Sequence, residues 1–138
     1  MKNLSFVIII ICIVSLCSCH KELTCEDFKI GTFIIPSDSI SDFKHTIIRT
    51  SKYQLEYPKG TEDKEVVYGK LEWIDECSYR ITYDESMGKL NETQRVINRN
   101  NGILINSIKI EENCMEIMMT LSLSNGENIE QIGKICKE

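Results

Sequence analysis

The chain has 138 residues, a formal net charge of −5 and 27% charged residues. That length supports one domain with a real core. An acidic balance repels phosphate backbones, so nucleic acid is excluded as a natural partner, and no polybasic segment offers itself to anionic lipid.

Residues 1–19, MKNLSFVIIIICIVSLCSC, read as an export signal. Lys2 supplies the positive start, and Leu4 to Leu16 is an apolar run. A run of that length is too short to span a bilayer, which takes roughly 20 apolar residues. Its flanks fit a cleaved signal. Leu16-Cys17-Ser18-Cys19 resembles a bacterial lipobox, with an aliphatic residue three before the cysteine and a small residue just before it. The resemblance implies a signal peptide over 1–18 and acylation of the Cys19 thiol, with palmitate-type chains tethering the domain to the lipid bilayer. Cleavage would leave 120 residues and a charge of −6, since Lys2 departs with the signal.

Seven cysteines are present. Cys12 and Cys17 belong to the signal, and Cys19 is consumed by lipid. Four remain: Cys25, Cys77, Cys114 and Cys136. An even number in an exported chain suggests two disulfides. No CxxC occurs and His is nearly absent, so no metal site or cofactor is expected.

Residues 19–26 read as the lipidated cysteine and a tether, and 27–138 as one antiparallel β domain. Strands are expected over Phe28–Ile35, Thr46–Thr50, Tyr53–Tyr57, Val66–Ile74, Ser78–Tyr83, Ile103–Ile110, Cys114–Leu123 and Ile129–Ile135. These runs are rich in Ile, Val, Tyr and Thr, and turn-forming residues separate them. Leu71 and Trp73 share one face of their strand, and Tyr79, Ile81 and Tyr83 share one face of theirs, the period-2 pattern of half-buried strands. Residues 84–99 read equally as loop, short helix or strand. The expected class is all-β: a single antiparallel meander forming a curved sheet or a small, lipocalin-like barrel.

The last hairpin fixes a register. Centred on Asn125, it sets Leu121 against Ile129, Met115 against Ile135, Glu116 against Lys134 and Cys114 against Cys136. Gly126 at the end of the loop fits a three-residue turn with a bulge. A one-residue slip would send every side chain to the other face. Cys114–Cys136 is therefore a candidate disulfide, leaving Cys25–Cys77. The pairings Cys25–Cys136 with Cys77–Cys114, and Cys25–Cys114 with Cys77–Cys136, stay open.

Three segments carry a family resemblance: Cys25-x-x-Phe28-Lys29-x-Gly31-Thr32-Phe33; Thr46-Ile47-Ile48-Arg49-Thr50 followed by Gln54-x-Glu56-Tyr57; and Leu71-x-Trp73-x-x-x-Cys77-x-Tyr79-x-Ile81-x-Tyr83. Together they resemble small uncharacterised lipoproteins of Bacteroidetes-type bacteria, whose members often bear the automatic label "DNA topoisomerase IV". A short, acidic, exported chain gives that label no support. The resemblance covers residues 25–83 well and the C-terminal half loosely. It implies a lipoprotein with a compact β fold, in which cysteines matching Cys25 and Cys77 recur, and it brings no ligand or catalytic residue.

No catalytic motif such as GxSxG, HExxH or a phosphate loop is present, so no enzymatic activity is expected. His20 reads as tether and His45 as a surface residue. Asp75-Glu76 and Glu111-Glu112 read as solvated turns. Phe28, Phe33, Trp73, Tyr79 and Tyr83 either fill the core or line an apolar pocket. Met115, Met118 and Met119 read as packing. Two functions fit: an envelope module that binds another envelope protein or a glycan without catalysis, or a lipocalin-like carrier of a small apolar ligand. The expected location is the bacterial outer membrane, lipid-anchored and facing the periplasm or the cell surface.

Overall fold

Eight strands pair only with their neighbours in sequence, and the last returns to the first. The computed structural model describes residues 22–37, 45–57 and 66–138. The expected signal over 1–18, Cys19 and its first neighbours lie outside the described residues. The strands are β1 (Gly31–Ile35), β2 (His45–Arg49), β3 (Tyr53–Tyr57), β4 (Val67–Trp73), β5 (Ser78–Tyr83), β6 (Ile103–Glu111), β7 (Cys114–Ser122) and β8 (Asn128–Lys137). All pairs are antiparallel and the order β1 to β8 closes as a barrel. The expected all-β meander is thus a closed up-and-down barrel, an arrangement that removes most free sheet edges.

The alternation expected from the sequence sets the inner face. Trp73 pairs with Tyr79 and Leu71 with Ile81, and Tyr79 pairs onward with Ile105. Phe33, Ile47, Leu71, Tyr79, Ile81, Ile105, Met115, Ile117 and Ile135 form the buried core with Phe28. β6 carries an irregularity between Ser107 and Lys109. That extra residue leaves Ile108 outside and exposed, and returns Ile110 to the packed side.

The final hairpin has the expected register. Cys114 faces Cys136, Met115 faces Ile135, Glu116 faces Lys134 and Leu121 faces Ile129. The Leu123 N–H donates to the Glu127 carbonyl at 2.7 Å and the Gly126 N–H to the Leu123 carbonyl at 2.9 Å. The loop is therefore Ser124-Asn125-Gly126, with Gly126 at φ +88°, a conformation most side chains resist. Glu116 forms no ion pair with Lys134; its carboxylate lies 3.9 Å from Lys109 Nζ.

Two segments differ from expectation. Residues 25–28 form a 3₁₀ turn, Cys25–Phe28, ahead of β1. Leu23 packs against the core and Cys25 and Phe28 are buried, so packing begins inside the stretch read as tether. The ambiguous stretch 84–99 holds a helix, α1 (Glu92–Arg99). Asn91 caps it: its side chain accepts from the Gln94 N–H at 2.9 Å, while Gln94 accepts from the Asn91 N–H at 2.8 Å. At the other end Asn101 takes φ 64°, and the Gly102 N–H reaches back to the Ile97 carbonyl at 2.9 Å. Asn98 bonds both the N–H and the carbonyl of Tyr83 at 2.8 Å. Asn100 accepts from the Ser124 N–H at 3.0 Å. Side-chain amides thus fasten α1 to the end of β5 and to the β7–β8 turn.

Candidate site at the open end of the barrel

The two ends of the barrel are built differently. At one end the 3₁₀ turn inserts Phe28 beneath Phe33, ring centroids 5.7 Å apart. The Cys25–Cys77 disulfide fastens that turn to the β4–β5 connection, and Cys114–Cys136 joins β7 to β8 near the same end. Trp73 packs on Tyr79 at 4.8 Å, with Lys29 Nζ 5.3 Å from the Trp73 ring. This end is closed and filled.

Arg49 holds the closed end together. Its side chain is only 2% exposed. Nε donates to Gln54 Oε1 at 2.7 Å, one terminal nitrogen to the Phe28 carbonyl at 3.0 Å, and the other to the Tyr79 hydroxyl. The guanidinium carbon sits 4.6 Å from the Tyr79 ring centroid and 5.6 Å from that of Phe33. The cation is thus satisfied by a carbonyl, an amide, a phenol and two ring faces. The neighbour across β3 makes room for this: Gln54 pairs with Gly69, where a Cβ would lie 3.0 Å from Ile81 Cγ2.

The relay continues upward. Gln54 Nε2 donates to Glu56 Oε1 at 2.8 Å. Burial pushes the Glu56 carboxyl above its ordinary value, opposed by the Gln54 hydrogen bond and by the charges of His45 and Arg49. Burial raises the Tyr83 phenol, and the nearby Glu56 charge raises it further. Burial raises Tyr79 as well, against the pull of Arg49. His45, Glu56 and Tyr83 therefore share the interior near the second end. His45, read as a surface residue, is half-buried on the inner face of β2, because it has the same parity as Ile47 and Arg49.

Toward this second end the inner faces become less buried. Arg49 and Ile47 are buried and His45 half-buried; Gln54 is buried and Glu56 half-buried; Tyr79 and Ile81 are buried and Tyr83 half-buried. On β7, Met115 and Ile117 are buried, while Met119 and Leu121 are half-buried. On β8, Ile135 is buried, yet Ile129 is 55% exposed. Among the described residues the barrel is thus a cup, with a packed base and a less buried end beside α1 and the β7–β8 turn.

The five aromatics singled out from the sequence do not form one lining. Phe28, Phe33 and Tyr79 are core, Trp73 caps them at the closed end, and Tyr83 stands apart at the open end. All four cysteines expected to pair are paired. Cys19 lies outside the described residues. Arg49, Gln54 and Glu56, present in the segments of resemblance, carried no functional role in the sequence reading. Their signal was parity: Arg49 shares a strand face with Ile47, and Gln54 with Glu56.

Comparison with known proteins places the chain in no family. No protein-family model matches, and neither the curated proteins nor the solved structures hold a match. Each nitrogen of Arg49 donates one hydrogen bond toward the base, whereas Glu56 presents its second carboxylate oxygen with no hydrogen-bond partner among the described residues.

The raised Glu56 carboxyl predicts a pH dependence. The folded state holds this proton more tightly than the unfolded chain does. The resulting stability is complete below pH 4.5, the ordinary value, and is lost as pH rises through the folded value. Asp75, Asp84 and Glu92 shift the other way, so their contributions fade only as pH falls below their ordinary values of 3.8, 3.8 and 4.5. Glu56→Gln keeps the acceptor for Gln54 and removes the titration. Thermal unfolding across pH 4.5–8 is expected to show wild-type stability falling with pH and a flatter profile for Glu56→Gln. A fall of equal size in the variant would assign the dependence to another group.

Proposed function

We propose that this chain is a non-enzymatic binding protein of the bacterial envelope. In this reading acylated Cys19 holds it at the membrane, and the cup takes one small amphipathic ligand. The graded burial of the inner faces supports the reading most directly: five strands pass from buried to half-buried or exposed positions toward the same end. A closed barrel with one filled end suits a ligand inside better than a partner on the sheet face. The half-buried inner side chains near the mouth include Ile35, Val67 and Leu121, which favour an apolar body. Glu56, Tyr83 and His45 favour a head that donates hydrogen bonds or carries positive charge.

The test uses the neutral dye N-phenyl-1-naphthylamine with the intact chain in mild detergent. Saturable one-to-one binding is expected, with dodecylamine displacing the dye better than dodecanoate. Glu56→Gln should narrow that preference without abolishing dye binding. Absence of saturable binding would refute the internal site. For the anchor, Cys19→Ser should abolish both acyl labelling and membrane association; persistence of both would refute it.

A further inference from the structure

β8 is long and its partner β1 is short. β8 pairs with β7 from Asn128 to Cys136, but it pairs with β1 only at Cys136 and Lys137. β1 ends at Ile35, before Pro36, which has no N–H to offer. Residues 128–135 therefore have no strand on their second edge among the described residues. Ile129 and Ile132 are each 55% exposed.

The phase of the hairpin decides which groups face that edge. Leu123 and Glu127 are a hydrogen-bonded pair. Bonded and non-bonded pairs alternate in an antiparallel ladder. Leu121–Ile129, Met119–Gln131 and Ile117–Gly133 are then bonded pairs, and Asn128, Glu130, Ile132 and Lys134 turn their N–H and C=O groups away from β7. The close Cα approach of 3.9 Å at Cys114–Cys136 has the phase of a non-bonded pair. Cys136 indeed turns to β1, pairing with Ile34. The backbone groups on this second edge, which meet no strand among the described residues, thus belong to the residues whose side chains stand on the outer face: Glu130, Ile132 and Lys134.

Those three residues are self-complementary. A second β8, laid antiparallel about a two-fold axis at Ile132, sets Ile132 against Ile132 and each Glu130 against the other copy's Lys134. Each opposed pair also exchanges main-chain hydrogen bonds, and two opposite-charge pairs flank an apolar one. Among the described residues neither Glu130 nor Lys134 has an ion-pair partner in its own chain: Glu130 faces Thr120, and the Glu116 opposite Lys134 lies beside Lys109. An exposed edge of this kind is a template for a further strand, and natural proteins usually block it. Here the edge charges suit a second copy instead.

We propose that two copies of this chain associate through the β8 edge, joining their sheets about a two-fold axis at Ile132. The interface is isologous, so each copy offers and receives the same strand. One strand pair buries little surface, which makes the free complex weak. Confinement on a membrane would raise the local concentration and strengthen it.

Sedimentation of the intact chain in mild detergent tests the pairing. Wild type is expected to dimerise reversibly with concentration. Glu130→Lys alone and Lys134→Glu alone should each lose the dimer, and an equimolar mixture of the two should restore it as a heterodimer. Ile132→Cys should cross-link two copies, because a hydrogen-bonded pair on the axis brings the Cα atoms within disulfide reach; a cysteine at Ile129, on the inner face, should not. A wild-type monomer up to roughly 1 mM, where association would be worth only about 4 kcal/mol, overturns the proposal. So does a dimer that neither charge variant disturbs, or a mixture that fails to restore it.

Discussion

Arg49→Met is expected to cost about 3–5 kcal/mol of folding stability, the range for removing one member of a buried charged network. The substitution keeps much of the side-chain volume, so the loss reports polar groups rather than a cavity. Three partners would be left behind: the Phe28 carbonyl, Gln54 Oε1 and the Tyr79 hydroxyl. A buried acceptor without a donor costs about 1–3 kcal/mol. The three belong to three different segments, the 3₁₀ turn, β3 and β5, so the damage spreads across the closed end. Arg49→Lys should recover little, since an ammonium cannot reproduce three donors in a planar fork. The Glu56 carboxyl would also lose the positive charge that partly offsets its burial, and its upward shift should grow. Urea unfolding of wild type, Arg49→Met, Glu56→Gln and the double variant would measure this as a coupling. A loss below about 1 kcal/mol for Arg49→Met, the scale of an ordinary hydrogen bond, would show that water replaces the guanidinium and that the base is not dry.

The second large effect concerns the disulfides, which should differ in weight. Cys25 and Cys77 are 52 residues apart, Cys114 and Cys136 only 22. In the chain-entropy account the longer loop is worth about 4 kcal/mol and the shorter about 3. Packing widens the gap. The Cys114–Cys136 bond spans a hairpin already held by nine facing pairs, from Cys114–Cys136 to Ser122–Asn128. The Cys25–Cys77 bond instead pins a four-residue turn that carries Phe28 into the base. Replacing Cys25 and Cys77 together by Ser should therefore lower the urea midpoint more than replacing Cys114 and Cys136. It should also expose Trp73 to quenching, because the turn ends beside Lys29, which lies over that ring. Equal losses, or the reverse order, would place the dominant constraint in the hairpin.

Much of this architecture was legible because strands with one buried face write their register into the chain. Apolar residues recur at every second position on β4, β5 and β7, and the Ser-Asn-Gly loop sets the phase of the final hairpin. One alignment then matched apolar and cysteine partners together. Closure was less legible, since it depends on two pairs between β1 and β8, and so small a contact leaves no pattern of its own. α1 was obscured for a different reason. Its stability comes from capping by Asn91 and from Asn98 and Asn100 reaching distant backbone, not from a broad apolar stripe. The interior relay was hidden by habit: a charged residue on a short strand reads as solvent-facing, and Arg49 reverses that only because Phe28, Gln54 and Tyr79 converge on it in space.

The 3₁₀ turn has a directional consequence. It enters the domain at the base, beside the β4–β5 connection to which Cys25 is bonded. The described chain therefore enters the domain from beneath the cup. If the lipid sits on Cys19, the leash to Leu23 is four residues, at most about 14 Å when extended. So short a leash would then keep the base against the bilayer and aim the mouth outward, toward whatever medium bathes that leaflet. A ligand would then arrive from the aqueous side, and the chain would act as an upright receptacle rather than one that draws its cargo from the membrane beneath it.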